Sequence, residues 1–191
     1  MFAPVIKQAA DRPVSWHLAA TAAAVGWFVW IKGKLDASYA ASNHPVDYAT
    51  GQTTFDGQAV KGFYKHMEDA GTLDVYRTTQ MIDFGFILGI FLVGLMLGAL
   101  LWRMARPRSW AAKTALVAGS AAMLGALCDS IENLISFAML ANPQGFADWI
   151  ALPYSGFAAA KFGLITVAML SVVITLVLIG VGRLFRAPRL G

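Results

Sequence analysis

The chain has 191 residues, of which 58% are hydrophobic and only 14% charged, with a net charge of +4. Soluble domains carry about 25% charged residues, so this composition excludes an ordinary soluble domain and points to a polytopic helical membrane protein. The basic residues flank apolar runs instead of forming a patch, which excludes a nucleic-acid role, and the single Cys128 excludes an internal disulfide or a cysteine zinc cluster.

In chain order, the first apolar run is PVSWHLAATAAAVGWFVWI, Pro13 to Ile31. It suits the roughly 20 residues that cross about 30 Å of hydrocarbon. Small residues at Ser38-Tyr39-Ala40 could mark a cleavage site, but Lys32 and Lys34 intervene and the site falls well beyond the apolar run. A retained span is therefore expected over a signal peptide. His17, beside Trp16, is expected at the interface near the inner end of this span. Trp27 and Trp30 at the outer end, with Trp102 and Trp110 at the inner, fit an aromatic belt.

An outer loop follows, about residues 32–79. Its first part, DASYAASNHPVDYATGQTT, is rich in turn formers and is expected to be irregular. Asp56 then heads FDGQAVKGFYKHMEDAG, in which Val60, Phe63, Tyr64 and Met67 share one helical face and Gly71 supplies a stop. A short amphipathic helix is predicted, lying on the membrane or lidding the bundle.

The second span, about 80–102, has its apolar core at FGFILGIFLVGLMLGALLW. Gly85/Gly89 and Gly94/Gly98 here, and Ala121/Gly125 in the next span, follow small-xxx-small spacing, which permits close helix approach within the chain or, less favoured, between copies. The connection RMARPRSWAAK carries Arg103, Arg106, Arg108 and Lys113 without an acid. The third span lies within 111–140 and the fourth covers about 158–181, with a short 141–157 connection between them. The tail adds Arg183, Arg186 and Arg189, again without an acid. The positive-inside rule then puts both termini in the cytoplasm of a bacterial-type inner membrane, with the mixed-charge 32–79 loop outside. The expected fold is a single all-α domain over 1–191: an integral membrane four-helix bundle with a short helix in its outer loop.

Polar residues interrupt the third span at CDSIENL. Asp129 lies about 24 Å and Glu132 about 28 Å along the helix from Lys113, so both belong to its outer part. Asp129, Glu132, Asn133 and Ser136 follow i, i+3, i+4, i+7 spacing and share a face that must turn into the bundle. Arg77 and Asp83 reach the same level at the outer start of span two, and Lys161 at that of span four. Three acids against two bases leave one negative charge over, to be met by a proton, a cation or a ligand. One reading has Lys161 and Arg77 simply neutralising the acids and pinning the outer helix ends together. The other has the residues lining a water-accessible pocket that opens outward, the default for ionisable groups inside a membrane. A metal site built on Asp83, Asp129 and Glu132, with His44 or His66 folded over it, has no recognisable ligand spacing. A proton pathway is disfavoured because no polar residues continue through the inner halves of the spans. No motif identifies a cofactor.

The segments GTLDVYRTTQMIDFGF, CDSIENLISF and AAAKFGLITV resemble those of a group of uncharacterised bacterial four-span membrane proteins, most specifically in the Asp-x-x-Glu-Asn element of the third span. The likeness covers roughly 55–161 and implies a site of Tyr76, Arg77, Asp83, Asp129, Glu132, Asn133 and Lys161, without implying an activity. A looser likeness, in its plan of inward-facing acids near one membrane face, is to the emopamil-binding superfamily. The function expected is binding of a membrane lipid, a small amphipathic ligand or a membrane partner subunit. The alternative is an enzyme acting on a lipid or isoprenoid, with Asp129 or Glu132 as acid/base and Lys161 or Arg77 holding an anionic group.

Overall fold

The computed structural model describes residues 1–184, so Arg186 and Arg189 lie outside the described residues. The described chain is helical, with no strand: α1 (Ala3–Ala10), α2 (Val14–Ala41), α3 (Tyr48–Gln52), α4 (Gly57–Asp69), α5 (Leu73–Met104), α6 (Trp110–Leu140) and α7 (Ala151–Leu184). A 3-10 turn at Asp148–Ile150 leads into α7. Four helices, α2, α5, α6 and the Asp148–Leu184 stretch, are long and apolar enough to cross a membrane. The chain therefore reads as a multi-pass membrane protein.

The third span, α6, matches its predicted bounds, while the other three helices run well past theirs. The first continues from Ile31 to Ala41, the second starts at Leu73 and the fourth at Ala151. At about 1.5 Å per residue, 28 to 34 residues make rods of roughly 42–51 Å, longer than about 30 Å of hydrocarbon. Hydropathy marks only the apolar middle of such a rod. Its polar ends are held by other means: Lys32 and Asp36 pair at i,i+4, and the Ser38 and Thr79 hydroxyls meet at 2.7 Å between α2 and α5. Part of the stretch expected to be irregular is thus the end of α2. Another part is α3, whose N-cap Asp47 accepts from Thr50 N at 2.9 Å.

The described chain divides into two compact units, 1–25 with 91–124 and 164–184, and 26–90 with 125–163. In the first, α1 was not anticipated. Asp11 and Pro13 break it from α2, leaving it too short for a clear period. It nonetheless buries Ile6 and Ala10 against Ala99 and Met123, sets Lys7 over the Trp102 ring at 4.9 Å, and gives its last carbonyl, that of Ala10, to Arg103. The α5–α6 crossing depends on small residues. A Cβ added at Gly94 would stand 2.6 Å from Ala122 Cβ, and one at Gly98 would stand 2.8 Å from Gly119 Cα. The Gly94/Gly98 spacing therefore serves packing within the chain. His17 corrects the interfacial expectation: it is 1% exposed, with Nε2 3.1 Å from the Met96 carbonyl. Its position near a span end gave no sign of which way the ring turned.

In the second unit, Gly89 of α5 comes close to Phe28 of α2. The predicted amphipathic helix is α4. Asp56 caps it through Gln58 N at 2.8 Å, and Gly71, at φ +69°, ends it with Thr72 N reaching back to Met67 O. Val60, Tyr64 and Met67 bury against Leu73, Tyr76, Met139, Leu140, Phe146 and Tyr154. Of the two expectations for α4, the lid is the observed one. It is fixed at its N-terminus by Asp148, which accepts from Gln58 at 2.8 Å and pairs with Lys61 at 2.6 Å.

Candidate functional site

The polar face of α6 is buried in the second unit. Asp129, Glu132, Asn133 and Ser136 are each no more than 3% exposed. Apolar exposed neighbours on the other side of the helix, Leu127, Ile131 and Leu134, complete the segregation. A helix in hydrocarbon can carry these groups only if its polar stripe finds partners inside the protein. Lys161, 4% exposed on α7, supplies the main one. Its ammonium donates to Asp129 Oδ1 at 2.6 Å and also to Glu132 Oε2. The space expected to be a pocket between the two acids is thus filled by the ammonium.

A second set of hydrogen bonds ties α6 to α5. Asn133 Nδ2 donates to the Gln80 carbonyl at 2.9 Å, and Gln80 Nε2 donates to Ser136 Oγ at 2.7 Å. Asn133 Oδ1, however, is buried without a partner. Leaving such an acceptor unmet costs about 1–3 kcal/mol, so the network is complete on one side of the carboxamide and open on the other.

Asp83 and Arg77 part company. Asp83 is 8% exposed and lies within electrostatic range of Asp129 and Lys161, yet its carboxylate makes no hydrogen bond or ion pair among the described residues. Arg77 does not join the cluster. Its guanidinium pairs with Asp74 at 2.6 Å and donates to the Leu140 carbonyl at 2.9 Å, capping the end of α6. An acid one turn earlier and a free helix-end carbonyl compete for it, and both were closer than the buried acids. The cluster therefore holds three carboxyls and a single ammonium, a larger imbalance than the sequence count gave.

Tyr76 is 4% exposed and belongs to an aromatic layer above the acids. Its ring lies 5.3 Å from His44 and 6.0 Å from Tyr64, while Tyr39 stacks on Tyr48 at 3.7 Å. Glu132 is within electrostatic range of Tyr64, Tyr76 and Tyr154. Burial, reinforced by the charges of Asp36 and Asp83, holds the Tyr48 phenol well above its ordinary range. That places α3 close to the Asp83 end of the cluster. Burial also pushes the His44 imidazole below its usual value, against a smaller opposing effect from the Val46 carbonyl that it bonds. His44 is spent in this layer, and no group of three His, Cys, Asp or Glu side chains among the described residues is arranged to hold a metal ion.

Sequence reasoning missed the tyrosine layer as part of the site. Tyr39, Tyr48 and Tyr154 lie on three separate elements with no common spacing, and only their type, aromatic with a polar tip, hints at a boundary role. Comparison with protein families, curated proteins and solved structures finds no match for this chain.

Proposed function

We propose that the protein binds a lipid or small amphipathic ligand at the outward-facing end of this cluster, and that the ligand carries a positively charged head. The observation behind it is Asp83, a nearly buried carboxylate with no hydrogen-bond or ion-pair partner among the described residues, in a cluster of three carboxyls and one ammonium. Buried charge is tolerated when it is paired or neutralised by a proton, and a cationic head would pair the third carboxylate directly. Asn133 Oδ1 offers that group a hydrogen-bond acceptor, and the ring of Tyr48, within electrostatic range of Asp83, can face a cation. Binding is favoured over acid/base catalysis on a lipid or isoprenoid because Lys161 already engages both Asp129 and Glu132. Placement in a bacterial inner membrane with cytoplasmic termini belongs to the same proposal and rests on the lysine and arginine distribution.

The test is ligand-induced stabilisation in nanodiscs with a single-chain alkylamine, the matched alkyl alcohol and the matched alkyl sulfate. The amine alone is expected to raise the unfolding temperature of the wild type, and Asp83→Asn is expected to lose that response while remaining folded. Equal responses to amine and alcohol, or an Asp83→Asn variant that responds like the wild type, would reject the proposal.

A further inference from the structure

A second polar feature lies in the first unit. A cavity of about 450 Å³ is lined by the α5–α6 turn and the end of α7. Arg106 and Arg183 give it two guanidinium groups, while Met104, Trp110 and Leu178 give it apolar walls. No acid is among the described residues that line it, and no Asp or Glu occurs between Arg103 and Lys113 or after Lys161 in the whole sequence.

The turn is built to hold its charge in place. Arg106 Nη2 donates to the Gly182 carbonyl at 2.8 Å, so one edge of the guanidinium is anchored on α7. Its partner is a neutral carbonyl, and no acidic side chain among the described residues pairs with it. Ser109 bonds back to the Arg106 carbonyl at 2.7 Å and caps Ala112 N at 3.1 Å, which fixes the turn at the start of α6. Lys113, which does not line the cavity, lies 4.4 Å above the Trp110 ring.

The surroundings say what kind of anion fits. Trp110 is 71% exposed at the mouth, and Val177, Leu178 and Val181 form an exposed apolar strip on α7. A free anion needs the arginines and has no use for the strip. A hydrocarbon chain needs the strip and has no use for the arginines. We propose that the cavity binds the phosphate of an anionic phospholipid, with its acyl chains lying along the exposed face of α7. Basic pockets between membrane helices recognise such head groups by this combination of charge and apolar wall. The inference rests on the membrane reading of the four apolar helices and is independent of the acidic cluster.

Purified full-length protein in a zwitterionic detergent is titrated with phosphatidylglycerol, phosphatidylcholine or glycerol phosphate, with bound lipid counted by native mass spectrometry and stability followed by thermal unfolding. Phosphatidylglycerol is expected to bind and stabilise in preference to phosphatidylcholine. Arg183→Gln should weaken it about fivefold, and adding Arg106→Gln should weaken it about fivefold again. Arg108→Gln removes the same charge from the same turn without lining the cavity and should leave binding unchanged. Because Arg183 is exposed, its variant keeps the test valid should loss of Arg106 unfold the turn. Equal binding of the two lipids, or equal loss in Arg108→Gln and Arg183→Gln, would overturn the site. Stabilisation by glycerol phosphate matching that of the lipid would overturn the lipid assignment.

Discussion

Replacing Lys161 with methionine keeps most of the buried stem and removes only the ammonium, so it isolates the electrostatic role of the cluster. The side chains of Lys161, Asp129 and Glu132 are 5%, 4% and 1% exposed, which leaves water little chance to replace the lost partner. Breaking a buried pair by removing one member costs about 3–5 kcal/mol. Here one ammonium serves two carboxylates and stands in range of a third, so Lys161→Met should fall at the upper end. Against the roughly 5–15 kcal/mol available to a folded domain, that is a large fraction. Removing an acid should do far less. Asp129→Asn leaves Glu132 and Asp83 facing the same ammonium and relieves repulsion among the acids, so a loss under about 2 kcal/mol is expected. The triple variant Lys161→Met/Asp129→Asn/Glu132→Gln carries no uncompensated charge from the triad and should recover most of the loss. Reversible unfolding in mixed micelles, read by tryptophan fluorescence, gives the order. If Lys161→Met were as stable as the wild type, or if Asp129→Asn were the more damaging change, the ammonium would not be what holds this face together.

Helix crossing in the first unit should be sensitive to a single methyl group: Gly98→Ala, facing Gly119 Cα at 2.8 Å, is expected to lose about 1–3 kcal/mol. Gly163→Ala, where a Cβ meets nothing within 4 Å, should be neutral or gain up to about 1 kcal/mol, and thermal melts of the two variants side by side check the contrast. Gly57→Ala would place a methyl 2.5 Å from Asp148 Cα and should raise amide hydrogen exchange in α4 while sparing α6. For His44, burial disfavours the charged form in the fold, so the unfolded chain binds the proton first and stability falls as pH drops below about 6.5. Protection factors in residues 42–72, which remove the intrinsic pH dependence of exchange, should therefore fall between pH 7 and 5 and stay constant in His44→Phe; constant protection in the wild type would refute the buried imidazole.

Periodicity and helix-stop chemistry made α4 legible almost residue for residue, because Asp56, the Val60/Tyr64/Met67 stripe and Gly71 are all local signals. The polar face of α6 was legible for the same reason: spacing alone put Asp129, Glu132, Asn133 and Ser136 together. Partner choice was not legible. Whether Arg77 turned to the buried acids or to Asp74 depends on the end of α6 arriving beside it, a contact across 63 positions in sequence. Helix length was not legible either. Hydropathy reports solvent, and the ends of α2 and α5 beyond the apolar core are stabilised by pairs such as Ser38–Thr79 that no window average detects.

The misplaced arginine alters the argument about the cluster more than the correctly placed residues do. With Arg77 counted in, three acids faced two bases, and one proton would have closed the balance. With Arg77 bound to Asp74 and the Leu140 carbonyl, Lys161 is left alone against Asp83, Asp129 and Glu132. Two of these are held by Lys161 and the third is not, so the imbalance is concentrated at Asp83. A purely structural lock has no need of that third carboxylate, since Lys161 with Asp129 and Glu132 already bridges α7 to α6. Asp83 is then the residue that separates the two readings. If it only repels its neighbours, Asp83→Asn stabilises the empty protein and changes nothing else. If it receives a cationic head, the same substitution stabilises the empty protein and abolishes its response to the alkylamine.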